Sequence, residues 1–201
     1  MKIIENAIPR PLFEFAKLEL ENMPWAYLHN THDSTEPGDH SSYSFVADIF
    51  NDGEHRNYQT YMWVSIFYTL LERFDISYDD LDTLIRIRVG LITNVGVEHE
   101  HGAHIDYERP HYTMLLYLDT IEEGGLTSFY NEKKNMKYKS QEEQLAREGL
   151  TLQEKVKSVE NRCALFDGLQ FHNSSTPMDK PKRVAVNFNF TLKKGLTPLA
   201  D

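Results

Sequence analysis

The residues best suited to chemistry lie between Glu98 and Asp106, in the order Glu-His-Glu-His-Gly-Ala-His-Ile-Asp. Within that stretch His104 and Asp106 stand two apart. On an extended backbone, residues i and i+2 point to the same side, so an imidazole and a carboxylate would converge on one point. Two ligands hold a metal poorly. A third is on offer far downstream in Phe171-His172-Asn173, just after the turn signal Phe166-Asp167-Gly168. Two imidazoles and one carboxylate on one face of an ion leave the opposite face open, which suits Fe(II) that must take on further ligands. Taken by themselves, His104 and Asp106 are more simply read as part of a solvated His-rich loop. His99-x-His101 is a rival ligand pair, and His111 is a further candidate. The rest of the chain has to decide.

Such residues need a scaffold, and the 201 residues suffice for one domain with a sizeable core. We take residues 1–201 as one unit, with helical support over about 1–82 and a β core over about 83–192. The formal charge of −10 argues against broad nucleic-acid binding, which needs Lys and Arg to displace counterions. The cluster Lys133, Lys134, Lys137 and Lys139 is flanked by Glu132, Glu142 and Glu143 and reads as solvated surface. A lone cysteine, Cys163, excludes an intramolecular disulfide and reads as a small buried hydrophobe. The first residues carry no signal-peptide pattern, and no apolar run reaches membrane-spanning length. The default expectation is a cytoplasmic protein with no membrane partner.

The elements follow from periodicity. Residues 1–11 read as a short strand or arm. Phe13, Ala16, Lys17 and Leu20 recur at helical spacing over 12–22, and Asn22-Met23-Pro24 ends that helix. The polar stretch 29–42 reads as a loop, and with 94–103 it is expected to close over the cleft. Residues 57–74 form the clearest helix, with Tyr61, Val64, Phe67, Tyr68 and Leu71 as its apolar stripe. From Leu84 the period changes to two. Ile85, Ile87, Val89 and Leu91 alternate with Arg86, Arg88 and Gly90. The arginines either face solvent or meet anionic partners inside. The run 111–119 predicts a strand buried on both faces, and 126–130 another. A short helical excursion is expected over 139–157, interrupted by Gly149. Strands follow at 158–166 and 183–190, the last alternating Val184, Val186, Phe188 and Phe190 with Arg183, Ala185, Asn187 and Asn189. Helices first and many short strands afterwards predict a mainly β fold, a jelly roll or double-stranded β-helix, with N-terminal helices packed on one sheet.

The segment from about Leu84 to Phe190 resembles the 2-oxoglutarate- and Fe(II)-dependent dioxygenases, particularly their prolyl 4-hydroxylase-like branch. The motifs that carry the resemblance occur in order: His104-Ile105-Asp106, Thr113-x-x-x-Tyr117-Leu118-Asp119, Gly124-Gly125-Leu126-Thr127-Ser128-Phe129, Leu165-Phe166-Asp167-Gly168, His172 and Arg183. Each is weak alone, and their order is strong. One departure stands out. The family often has a Tyr-rich strand before His-x-Asp that touches the cosubstrate, and here that strand holds Arg86, Arg88 and Asn94.

The resemblance implies Fe(II) held by His104, Asp106 and His172, with 2-oxoglutarate as cosubstrate and O2 as oxidant. It also admits ascorbate. Oxidative decarboxylation to succinate would be coupled to hydroxylation of a C–H bond. The carboxylate of Asp106 favours hydroxylation over halogenation, because related halogenases lack it. An arginine fork suits the distal carboxylate of the cosubstrate, which points to Arg183. Tyr117 would add a hydroxyl donor, and Thr113 and Asn187 would line the pocket. His99 and His101 then belong to a loop over the cleft, and His111 to the surface. The expected partner is a peptide or small-molecule substrate, such as a prolyl or other amino-acid residue, with no nucleic acid. Two other functions compete. A non-catalytic jelly-roll module would bind a ligand with or without metal. A zinc hydrolase would use the same ligands, but it lacks a His-Glu-x-x-His helix and leaves Arg183 without a task.

Overall fold

The computed structural model describes residues 1–29 and 43–199. The proposed closing loop at 29–42 therefore lies almost wholly outside the described residues. In chain order the elements are β1 (Lys2–Ile4), α1 (Arg10–Glu19), β2 (Ala26–Leu28), β3 (Ser44–Asn51), β4 (Glu54–His55), α2 (Thr60–Arg73) and β5 (Leu81–Thr93). There follow β6 (Tyr112–Tyr117), β7 (Leu126–Lys133), α3 (Gln141–Arg147), β8 (Leu152–Lys157), β9 (Cys163–Asp167), β10 (Gln170–Ser174) and β11 (Lys182–Leu192).

Two antiparallel sheets carry the molecule. The major sheet runs β1-β9-β6-β11-β5-β3-β2, with β4 paired to β3, and the minor sheet runs β10-β7-β8. Period-2 alternation gives each central strand two different faces. Val184, Val186, Phe188 and Phe190 of β11 join Ile87 and Val89 of β5 and Met114 and Leu116 of β6 in a core against α1 and α2. The opposite face of the same strands carries Arg183, Ala185, Asn187, Asn189, Arg86 and Arg88. A smaller cluster, Leu115, Tyr117, Phe129, Val156, Phe166 and Ala185, fills the space between the sheets. This is the mainly β, double-sheet architecture with helices on one outer face that the sequence predicts.

Several boundaries differ. The buried face of α2 is Trp63, Ile66, Phe67, Leu70 and Leu71, not the stripe through Tyr61 and Tyr68, which are 74% and 37% exposed. Trp63, Ile66, Phe67 and Leu70 follow the same helical period one step round, and the tyrosines keep their hydroxyls in water. Phe67 packs against Phe188 and Phe190 at 6.1 and 5.5 Å between ring centroids. Within 1–82, β2, β3 and β4 extend the major sheet, so that region is not only helical support. The expected helix over 139–157 covers only α3, where the Ser140 hydroxyl caps the Glu143 N–H at 3.2 Å. Beyond Gly149 the chain becomes β8, which pairs with β7 and buries Val156. Residues 158–162 form a turn, and the next strand begins only at Cys163. Cys163 is fully buried, and burial pushes its thiol far above its ordinary pKa.

Candidate active site

A cavity of about 160 Å³ opens between the two sheets, on the face of the major sheet turned away from the helices. His104, Asp106 and His172 line it. Their ligand atoms all lie within 4.8 Å of one another. His172 comes from β10. His104 stands opposite it in an isolated antiparallel bridge, with N–H to carbonyl bonds of 2.9 and 3.0 Å in the two directions. The segment 104–106 is therefore not a regular strand. The bridge at His104 and a bend at Asp106 still send both side chains inward, while Ile105 turns into the interior at 4% exposure. The Ile105 N–H donates to Gln141 Oε1 at 2.9 Å, so the start of α3 tethers the ligand segment.

Both imidazoles are oriented from behind. His172 Nδ1 lies 3.0 Å from the Gln170 carbonyl and His104 Nδ1 lies 3.3 Å from the Gly102 carbonyl. A carbonyl can only accept, so each Nδ1 carries a proton and Nε2 is the ring nitrogen that would take a metal. Asp106 sits in a network of donors. Arg86 Nη2 donates to Oδ1 at 2.7 Å, and Asn189 Nδ2 donates to Oδ2 at 2.8 Å, with Asn187 Nδ2 farther off at 3.4 Å. Burial alone would raise the Asp106 carboxyl. Arg86, then His172 and His104, and then the Asn189 bond overcome it and hold the carboxyl well below the ordinary carboxylate range. Two back-bonded imidazoles and one ionised, oriented carboxylate form a donor set that fits a divalent ion with open positions.

Arg183 lines the same cavity from β11 and is 4% exposed. Its Nη2 donates to Thr127 Oγ1 at 2.7 Å, and Tyr117 OH donates to the same oxygen at 3.0 Å. Its Nε has no acceptor among the described residues, and no carboxylate there stands at ion-pair distance. Burial pushes the guanidinium below its ordinary pKa, an effect that Tyr117 and Asp119 only partly offset. A buried cation of this kind calls for an anion.

The other candidates are placed as follows. Asn187 lines the cavity. Tyr117 is fully buried behind Arg183. Thr113 is also fully buried and does not face the cavity; its hydroxyl accepts from Asn189 Nδ2 at 2.9 Å, so it supports the Asp106 network. His111 is not on the surface. It is 3% exposed, its Nδ1 lies 2.8 Å from the Arg109 carbonyl, and its ring occupies the place a Cβ on Gly168 would need. His101 is buried and lines the cavity, with Nδ1 3.2 Å from Ser174 Oγ.

The segment around His99 and His101 is not a loose cover. The His101 N–H donates to the Ser174 carbonyl at 2.9 Å, the Thr176 N–H donates to the His99 carbonyl at 3.0 Å, and Asn173 Nδ2 donates to the His101 carbonyl at 2.8 Å. The Gly-Gly turn seats on the same strap. Gly124 and Gly125 have φ of 68° and 59°, and a Cβ on Gly124 would strike the Thr176 carbonyl. Residues that sequence reasoning passed over include Gln141 and Asn189. Asn189 was visible only as a polar residue on the minority face of a strand. Arg86, which the alternation left either in solvent or against an anion inside, is the ion-pair partner of Asp106.

No protein-family model matches the chain, and no curated protein sequence does. Solved structures do. A 2OG-Fe(II) oxygenase family oxidoreductase from Burkholderia pseudomallei superposes with a TM-score of 0.62 at 10% identity, over 94% of this chain and 84% of that one. HygX from Streptomyces hygroscopicus, solved with nickel, 2-oxoglutarate and hygromycin B bound, gives 0.60 at 14% identity over 96% and 82%. A prolyl hydroxylase from Trichoplax adhaerens, in complex with a hypoxia inducible factor peptide fragment, gives 0.57 at 14% over 94% and 82%. At these identities the likeness establishes a shared jelly-roll fold. Among the described residues, no helix is long and apolar enough to cross a membrane.

Proposed function

We propose that the chain is an Fe(II)- and 2-oxoglutarate-dependent dioxygenase that hydroxylates a C–H bond. The observation that carries this reading is the pairing, in one cavity, of the His104–Asp106–His172 cluster with a buried Arg183 that meets no carboxylate among the described residues. A metal with open positions at one end and an anion receptor at the other describe the two ends of a chelating 2-oxo dicarboxylate. The neighbours of this fold that are solved with 2-oxoglutarate, a peptide fragment or hygromycin B support the same reading.

His104 and His172 would hold the ion through Nε2 and Asp106 through a carboxylate oxygen. Fe(II) bound there would supply the redox chemistry that activates dioxygen. Arg183 would receive the distal carboxylate, with Thr127 and Tyr117 fixing the guanidinium in place. Leu115, Phe166 and Ala185 wall the cavity with apolar surface and limit water around the reacting centre. The reaction balances as 2-oxoglutarate, O2 and R–H giving succinate, CO2 and R–OH, one oxygen atom passing to succinate and the other to the new hydroxyl. We assign the substrate to the peptide or small-molecule class, with prolyl and other amino-acid residues first, and place the enzyme in the cytoplasm. The excess negative charge gives no support to nucleic acid.

The test is succinate release from 2-oxoglutarate, with Fe(II) and ascorbate, against pools of peptides, amino acids and small molecules. Substrate-stimulated succinate is expected. Tight binding of metal and 2-oxoglutarate with no turnover in any pool would favour a non-catalytic binding module.

A further inference from the structure

Arg86 and Asp106 form a buried ion pair inside the cavity, their side chains only 9% and 7% exposed. Arg86 is fixed on three sides. Nη2 donates to Asp106 Oδ1 at 2.7 Å, Nε donates to Asn189 Oδ1 at 3.0 Å, and the Tyr107 ring covers the guanidinium at 4.8 Å. The proposed reaction gives this residue no task. It cannot ligate a cation, and Arg183 already stands where an anion would be received.

A carboxylate that ligates a divalent ion lends it negative charge, and its outer-shell partners are commonly hydrogen-bond donors. Here part of that charge is already neutralised by a cation that cannot lose its proton. An ion on Asp106 would share its carboxylate with Arg86, whose Nη2 stands 2.7 Å from Oδ1. Asp106 is also the sole carboxylate among the described residues that line the cavity, against Arg86, Arg88 and Arg183. Only Arg88 has another carboxylate partner, Asp48, at 2.6 Å. A divalent ion entering alone thus adds to a cationic excess in a poorly screened interior. A chelating dianion reverses that excess.

We propose that Arg86 makes divalent-ion binding at His104, Asp106 and His172 conditional on the anionic cosubstrate. It weakens the ion's hold on the cosubstrate-free site and enlarges the coupling between ion and 2-oxoglutarate, which by linkage acts equally in both directions. The inference rests on the function proposed above. An Arg86 that served only to orient Asp106 would act with the opposite sign, because its loss would loosen the carboxylate and weaken the ion.

Calorimetric titration of the full chain with Ni(II), with and without saturating 2-oxoglutarate, separates the two. Arg86→Gln should bind Ni(II) alone about tenfold tighter than wild type, and the factor by which 2-oxoglutarate tightens Ni(II) should shrink by about tenfold, within the usual range of coupling. Arg86→Lys keeps the charge without the fork and should keep the wild-type coupling. Equal coupling in wild type and Arg86→Gln, or weaker Ni(II) binding by Arg86→Gln alone, would overturn the inference while leaving the proposed function standing. If Arg86→Gln does not fold, Arg86→Met, which also removes the charge on an unbranched side chain, takes its place: reduced coupling with tighter Ni(II) binding supports the charge effect, and unchanged coupling overturns it. A wild type whose Ni(II) affinity ignores 2-oxoglutarate would overturn the inference and the proposed function together.

Discussion

His104 and His172 exchange both backbone hydrogen bonds across one bridge, at 2.9 and 3.0 Å, and this holds their ring centroids 4.6 Å apart. The main chain thus fixes where the two imidazoles start, and Phe166 and Phe129 pack on the His172 ring at 5.0 and 6.1 Å. His172→Ala leaves that bridge intact and removes one ligand. Its circular dichroism should match wild type. Its Ni(II) affinity should fall by more than about 100-fold, the upper end for loss of an outer-shell partner. Undiminished Ni(II) binding by titration would show that His172 is not a ligand.

Arg183→Ala should separate cosubstrate from metal. Loss of the buried cation facing an anion costs about 2–5 kcal/mol of 2-oxoglutarate binding, roughly thirty-fold to several-thousand-fold in affinity. Ni(II) affinity without cosubstrate should not fall, because Arg183 is not a ligand, and Arg183→Lys should lose less 2-oxoglutarate binding. Wild-type 2-oxoglutarate binding by Arg183→Ala, measured on the Ni(II)-loaded protein, would pass the anion-receiving task to another cation of the cavity, Arg86 or Arg88.

Thr113 gives a contrasting result. Its hydroxyl serves Asn189 and not the cavity. Thr113→Val keeps the shape and should cost about 1 kcal/mol in urea unfolding, the net worth of a typical hydrogen bond. Its 2-oxoglutarate affinity should stay within about twofold of wild type, well short of the loss expected when a direct ligand contact goes. A tenfold or greater loss of that affinity would place Thr113 against the cosubstrate after all.

His111 predicts a pH effect on stability. Burial lowers its pKa in the fold, against the raising effect of the Arg109 carbonyl. A depressed folded pKa means that the contribution is fully present above the unfolded value of about 6.5. It is lost as pH falls through that value toward the folded one, because the unfolded chain binds the proton first. Urea midpoints from pH 8 to pH 5 should fall for wild type, and the fall should be shallower for His111→Gln. Parallel slopes in the two proteins would remove His111 as the cause.

Much of this was readable from residue spacing, because the dominant signals were periodic. The alternation in 85–91 and 184–190 assigns β5 and β11 and sends Arg86, Arg183 and Asn187 to one face. The His104–Asp106 spacing gave the right convergence for an incomplete reason, since the backbone there is a bridge and a bend. What escaped was decided by contacts between distant segments. Leu152–Lys157 has the composition of a helix but becomes a strand because β7 offers it an edge. Asp106 meets Arg86 and Asn189 only through the register of β5 and β11, which sets Asn189 opposite Arg86. The burial of His111 depends on Gly168, far along the chain.

β11 lies at the centre of the major sheet, between β6 and β5, yet it follows every other described strand in the chain. During synthesis, β5 and β6 must wait with open edges until Lys182–Leu192 emerges. Such edges invite wrong pairing and aggregation. The same late strand brings Arg183, Asn187 and Asn189. A nascent chain that stalls before β11 therefore lacks the seam of its sandwich and the two asparagines that join Arg86 in steadying Asp106, and should yield an insoluble product rather than a partly folded one.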